Sequence, residues 1–237
     1  MYRFFGISHE NEGLLLSKED THHCKSVLRL EEGSLIECVY ESKVYQGNLS
    51  FIDNRGWVFN LELVEEVSSN LTLYLCQGIP KGQKMEEIIR HGTEAGINVF
   101  IPLKLKRCIS NISNKEEKKL KRWQSIAESG AKQSKSLEIP MVETPMTLEE
   151  ALKYLEDTLI LVAYEEEKEM ILSQVLKEDI PRKVALFIGP EGGFEKEEIQ
   201  MIKEYGGYAT SLGPRILRTE TAGVIGSFII RYEVEMR

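Results

Sequence analysis

The sequence predicts an α/β protein in two parts: a small all-β domain, then a mainly parallel sheet with helices on both faces. Three observations carry this. Residues 1–70 break into short, alternating apolar runs separated by turn residues. From Leu71 onward, compact apolar runs of strand length alternate with segments of helical spacing. Two of the later runs end in glycine-proline loops, at the strand ends where open α/β sheets bind ligands.

In the first part, Ser34-Leu35-Ile36-Glu37-Cys38-Val39-Tyr40 follows a turn at Glu32-Gly33. Residues 44–52 and 56–64 are further strands, divided by a turn at Asp53-Asn54-Arg55-Gly56. One helical stretch, 17–28, intrudes, and the whole reads as a small β-barrel or β-sandwich. The boundary falls at 65–70, giving domains 1–70 and 71–237.

The second part opens with a buried strand at 71–76. A helix over 84–95 follows, with Met85, Ile88, Ile89 and Ala95 apolar and Gly96 at its end. A strand at 99–103 precedes a basic helix over 115–131, where Leu120, Trp123 and Ala127 share a face. Later strands are 159–163, 184–188 and 209–212, with helices between them and after the last.

Composition narrows the class. No apolar run approaches the roughly 20 residues that span a bilayer, and Met1-Tyr2-Arg3-Phe4-Phe5-Gly6 is unlike a signal peptide. A cytoplasmic location is expected. Cys24, Cys38, Cys76 and Cys108 form no Cys-x-x-Cys pair, and His9, His22, His23 and His91 lack metal-ligand spacing. Neither a metal site nor a disulfide framework is expected. The net charge is −8, yet residues 81–135 carry a balance of +7 within flanks of −6 and −9. The basic block includes Lys104-Leu105-Lys106-Arg107 and Lys118-Lys119-Leu120-Lys121-Arg122. It is either a phosphate-collecting surface or a solvated helix face.

The first loop is Ile188-Gly189-Pro190-Glu191-Gly192-Gly193-Phe194, followed by an acidic helix start at Glu195-Lys196-Glu197-Glu198. Its glycines let bare backbone approach a ligand, while the carboxylates suit the helix dipole and occupy the place a phosphate would take. The loop is neither Gly-x-Gly-x-x-Gly nor a phosphate-binding loop. S-adenosylmethionine has no phosphate and carries a cationic sulfonium, so it suits this loop better than ATP or NAD. The second loop runs Ser211-Leu212-Gly213-Pro214-Arg215-Ile216-Leu217-Arg218-Thr219-Glu220-Thr221-Ala222 into an apolar helix, which Thr219 or Thr221 can cap.

These two motifs closely resemble the RsmE family, ribosomal RNA uridine-N3 methyltransferases of the SPOUT (α/β-knot) superfamily. The likeness extends to Arg3-Phe4-Phe5, His22-His23, Val27-Leu28-Arg29-Leu30, Ile79-Pro80-Lys81-Gly82, Met85-Glu86, Glu94-Ala95-Gly96 and Gln133-Ser134. Where the family tends to have Glu-Gln-Ser and then arginine, this chain has Lys132-Gln133-Ser134-Lys135. Positive charge is kept, but a planar phosphate fork is lost.

The resemblance implies an N-terminal PUA-like β-barrel for RNA and a C-terminal SPOUT domain with a trefoil-knotted parallel sheet. It implies a homodimer and a 16S rRNA substrate within the 30S subunit. The cofactor, S-adenosylmethionine, is expected against Val162 and Ala163, against Ile188 and Gly189-Pro190-Glu191-Gly192-Gly193, and against Ser211, Leu212, Gly213, Ile216, Leu217, Arg218, Thr221 and Ala222. RNA contacts are expected from Arg3, Arg29, Lys81, Lys118, Lys119, Lys121, Arg122, Lys132 and Lys135. Arg218 is the expected cation for a developing uracil anion, with Glu220 or Glu191 as proton acceptor. For Arg218 the alternative is a structural ion pair to Glu220 or to a carboxylate across a dimer. For the whole chain, the alternatives are methylation of a ribose 2′-hydroxyl or another base, and a non-catalytic RNA-binding assembly factor.

Overall fold

Tight turns set the architecture of the first 66 residues. β1 (Arg3–Glu10) and β2 (Gly13–Leu16) are joined by Asn11 and Glu12, both at positive φ. After α1 (Lys18–His22) come β3 (Leu35–Tyr40), β4 (Lys43–Ile52) and β5 (Arg55–Glu66). Glu41-Ser42 and Asp53-Asn54 connect these strands, again at positive φ. Two-residue loops of this kind match the right-handed twist of the strands they join. The five strands close into a barrel in the order β1-β2-β5-β4-β3, with β1 parallel to β3. Phe4, Leu14, Leu16, Ile36, Leu49 and Val58 fill its interior. The helix expected over 17–28 is interrupted. Ser17 accepts the Asp20 N–H and starts α1, but His23–Val27 widens into a π turn that carries Cys24 into the barrel core.

The remaining elements are β6 (Thr72–Gly78), α2 (Lys84–Glu94), β7 (Val99–Lys104), α3 (Glu116–Ser134), β8 (Met141–Val142), β9 (Met146–Thr147) and α4 (Leu148–Tyr154). Then follow β10 (Leu159–Ala163), α5 (Leu172–Val175), β11 (Lys183–Ile188), α6 (Lys196–Glu204), β12 (Tyr208–Thr210) and α7 (Thr219–Glu235). The computed structural model describes residues 1–66, 71–109, 116–176 and 182–235, so part of the expected boundary at 65–70 lies outside them.

The sheet runs β12-β10-β11-β6-β7-β8, with β9 also on β7, and every pairing is parallel. Alternate residues supply two cores. Leu73, Leu75, Leu161, Val184 and Leu186 face one, while Cys76, Ile160, Val162, Ala185 and Phe187 face the other. Pro102 accounts for the divided edge. It has no N–H to give, and β8 pairs with Val99 and Phe100 while β9 pairs with Leu103 and Lys104, leaving the proline between them. α7 packs on β6, β11 and α2. A Cβ on Gly223 would stand 2.9 Å from Gln77 Oε1, so glycine is what lets this helix lie so close to β6.

The chain divides into two compact units, Met1–Ser68 with Ala131–Glu138, and Ser69–Gly130 with Ile139–Arg237. The sequence does not foresee that residues 131–138 rejoin the first unit. No helix among the described residues is long and apolar enough to cross a membrane.

One buried side chain secures the C-terminal helix. The Arg231 guanidinium donates to Leu71 O (3.3 Å), Asn98 Oδ1 (2.7 Å), Glu235 (2.8 Å) and Gly96 O. Arg231→Met should destabilise the protein by about 2–4 kcal/mol, because it removes a buried charge-assisted donor from Leu71 O, Gly96 O and Asn98 Oδ1 at once. Urea unfolding followed by circular dichroism would measure the loss.

Candidate active site

Because the sheet is parallel, β6, β10, β11 and β12 deliver their following loops to one edge. A fully buried polar junction joins three of them. Gln77 Nε2 at the end of β6 donates to Thr219 Oγ1 at 2.8 Å and to Gly78 O at 3.0 Å. Thr219, the first residue of α7, donates in turn to Gly189 O at 2.6 Å. Gln77 Oε1 remains a buried acceptor with no hydrogen-bond partner. Thr219 is therefore not the free helix cap that the sequence suggests. Its hydroxyl lies between β6 and the loop after β11, and the first-turn N–H groups of Thr221 and Ala222 bond to Arg218 O instead.

The 189–193 loop is shaped by backbone. Gly193 has φ +70°, a backbone conformation that favours glycine, and its Cα side faces the Glu165 carboxylate. The adjoining segment is braced by Arg107. Its guanidinium makes a forked pair with Glu195 (2.8 and 3.1 Å) and donates to Gly192 O at 2.6 Å. The Arg107 hydrogen bonds, against some burial and aided by its charge, hold the Glu195 carboxyl below its usual range.

A second set of charges links the two loops. Lys84 Nζ lies 3.0 Å from Glu191 Oε1 and 3.3 Å from Glu220 Oε2. Glu191 also accepts the Lys81 N–H. Burial pushes the Glu191 carboxyl upward, but its own backbone N–H, Lys84 and the Lys81 N–H together hold it below the usual range. Both glutamates expected as proton acceptors are therefore engaged by one ammonium. Arg218 is different. It is exposed and makes no ion pair among the described residues, so the Glu220 pairing considered for it does not form.

The other expected cofactor positions gather at the same edge. Val162 is buried and Ala163 half-buried at the end of β10, where Thr210 Oγ1 donates to Val162 O. Ile188, Gly189 and Pro190 are buried, as is Ala222. Leu212 and Leu217 pack partly against the core, Ser211 and Thr221 are half-buried, and Gly213 is open on its Cβ side. Ile216 is 90% exposed, an apolar side chain left uncovered in the loop.

The expected RNA contacts are not all free. Arg3 is engaged within the first unit: its side chain is 7% exposed and donates to Glu37, Glu65 and Lys135 O. Lys132 is engaged too, its ammonium 2.5 Å from the buried Asp20 carboxylate. Arg29 and Lys135 lie in the first unit with left-handed backbone. Lys81 is exposed beside Glu191. On α3, Lys121 pairs with Glu117 and Arg122 with Glu86, whereas Lys118 is exposed and Lys119 lies over the Trp123 ring. Of the earlier basic run, Lys104 pairs with Glu116, Lys106 with Glu197 and Arg107 with Glu195. That run answers local carboxylates.

Gln77, Lys84 and Arg107 were not expected at the site, whereas Glu165 belongs to the strand end Val162-Ala163-Tyr164-Glu165 expected to contribute to it. Lys84 and Arg107 were visible only as members of a basic block. A glutamine in an apolar strand, Leu73-Tyr74-Leu75-Cys76-Gln77, was the available signal for the junction.

Comparison with known proteins gives this site its class. Residues 67–230 match the family model for an RNA methyltransferase domain. The chain is 34% identical over 236 residues to ribosomal RNA small subunit methyltransferase E of Bacillus subtilis, covering 93% of this chain and 90% of that one. A Legionella pneumophila protein solved with S-adenosylmethionine bound superposes with a TM-score of 0.84 at 29% identity, over 98% of this chain and 97% of that one. The Neisseria gonorrhoeae ribosomal RNA small subunit methyltransferase E, bound to S-adenosyl methionine, gives 0.80 at 26% identity over the same shares. The fold and site thus define an α/β-knot RNA methyltransferase. Within that class, the chain belongs to the ribosomal RNA small subunit methyltransferase E family.

Thr219→Val keeps the shape of the junction but removes its central hydroxyl. It should cost about 1–3 kcal/mol, because Gln77 Nε2 and Gly189 O each lose a buried partner. Thr219→Ser should stay near wild type. Chemical denaturation of the two variants side by side would decide it.

Proposed function

We propose that this chain transfers a methyl group from S-adenosylmethionine to N3 of one uridine in the 16S RNA of the small ribosomal subunit. One observation carries the reading: two backbone-lined loops are locked together at Gln77, Thr219 and Gly189, with carboxylates on their rim and an unpaired Arg218 beside them. The residues fit the cofactor. Gln77 Oε1 is a buried acceptor without a donor, Gly213 leaves open space, and Ile216 offers an uncovered apolar surface. Glu191 and Glu165 suit a cationic ligand where a phosphate would be repelled. Family membership supports the same cofactor and the same RNA.

When bound, the cofactor supplies an already activated methyl group. The protein must therefore align the acceptor nitrogen and stabilise uracil as its N3 proton leaves. Arg218 serves as the cation, since it is exposed beside the loops and no carboxylate of the described residues holds it. Glu191 and Glu220 are paired with Lys84, which leaves solvent the simplest proton acceptor. RNA phosphates are collected by Lys118 and Lys119, with Lys81, Arg29 and Lys135, and the acceptor is the assembled 30S particle in the cytoplasm.

The working form is a homodimer. Ile225, Phe228 and Tyr232 line one exposed stripe of α7 at spacings of three and four. A second copy of the chain is the occupant that covers it. Phe228→Asp should shift the species seen in sedimentation velocity to the monomer; an unchanged dimer would place the interface elsewhere.

The defining experiment incubates small subunits lacking the modification with the protein and labelled cofactor, then digests the RNA. Mass spectrometry should find 3-methyluridine. A 2′-O-methylated nucleoside or another methylated base would change the acceptor, and no incorporation would favour an assembly factor. Arg218→Ala should lower single-turnover methylation about a hundredfold to a thousandfold, with cofactor affinity and dimerisation nearly unchanged. Near-normal turnover in that variant would end the catalytic assignment.

A further inference from the structure

We infer that Lys84 is a positioning residue of the cofactor site, an electrostatic clamp that holds Glu191 and Glu220 together on the rim of two loops already joined at their base by the Thr219–Gly189 hydrogen bond. This rests on the cofactor reading above and adds a residue to it.

The geometry is asymmetric in a telling way. Lys84 belongs to neither loop; it stands in the first turn of α2, held by the helix whose apolar face is buried through Met85, Ile88 and Ile89. Glu191 belongs to the loop after β11, and Glu220 to the first turn of α7. One ammonium within 3.0 and 3.3 Å of these carboxylates brings two like charges near each other at the rim, above the Thr219–Gly189 bond that joins the loops. Glu220 Oε2 is itself buried and accepts no hydrogen bond, so the Lys84 charge is what it faces. The pairs are only about one-third exposed or less, so solvent screens them incompletely.

Other charged and titratable groups near the trio do not replace Lys84. Lys81 offers Glu191 its backbone N–H, Cys108 feels the Glu191 charge from the segment after β7, and Arg218 lies two residues before Glu220 without pairing to it. With Lys84 neutral, two carboxylates would repel across the loops. The two rims would splay above the Thr219–Gly189 bond unless one carboxylate took up a proton. The sign follows: Lys84 is one of the groups that hold the Glu191 carboxyl down, so its removal raises that pKa and the rim closes again as pH falls.

Calorimetric titration of S-adenosylmethionine into Lys84→Met, Lys84→Arg and the double variant Lys84→Met/Glu220→Gln tests this, each at pH 8 and pH 5.5. Wild type serves as reference at each pH. Lys84→Met should bind roughly tenfold or more weakly at pH 8, about the cost of one uncompensated charge. It should regain most of that loss, relative to wild type, at pH 5.5. Lys84→Arg should bind like wild type, and the double variant should recover at pH 8 because one of the repelling charges is gone. A folded Lys84→Met that binds like wild type overturns the clamp. So does a loss that neither acid nor Glu220→Gln relieves, since that would be packing and not charge. Wild type that fails to bind at either pH would instead refute the cofactor reading, and this inference with it.

Discussion

Thr219 Oγ1 is the atom on which the site's assembly turns. It accepts from Gln77 and donates to Gly189, so one hydroxyl fixes β6, the loop after β11 and the start of α7. All three partners are buried, and a buried polar group is costly unless matched. The junction is therefore specified as well as stable: any shift of α7 along the sheet would leave a donor or an acceptor unanswered. Gly223, one turn further on, lets the helix sit close enough to Gln77 for that arrangement to exist.

Charge is arranged with similar economy. The chain is acidic overall, yet its basic block is largely consumed by local partners: Arg107 by Glu195, Lys104 by Glu116, Arg122 by Glu86, Lys132 by Asp20. What distinguishes the remaining cations is not density but freedom. Lys118 and Arg218 are both exposed and form no ion pair among the described residues. A count of lysines and arginines along the sequence overstates the RNA surface, because pairing across the fold is invisible to it.

The legible part of the fold was the part carried by local periodicity. Alternation in 44–52 and 56–64 marks β4 and β5, and the apolar runs at 159–163 and 184–188 mark β10 and β11. The two loops were legible too, because glycine and proline constrain backbone whatever surrounds them. Long-range features were not. Nothing local says that residues 131–138 return to the first unit, or that Lys84 from a helix start would meet carboxylates more than 100 residues away. β8 and β9 are two residues each, too short for any period to register. α4 did leave a signal, the Thr147-x-x-Glu150 capping box that the structure realises in full.

The same contrast separates the two candidate proton acceptors from the candidate cation. In sequence, Arg218 and Glu220 stand two apart in one loop and look like partners. A spacing of two, however, points their side chains to different sides once Thr219 begins a helix, because neighbours on a helix face are three or four apart. Glu220 then turns toward α2 and Lys84, while Arg218 stays outside the helix and exposed. The helix boundary at Thr219, itself fixed by the Gln77 junction, is thus what divides a structural carboxylate from a free cation. The hydrogen bond that joins the two loops also decides which nearby charge is left without a carboxylate partner among the described residues.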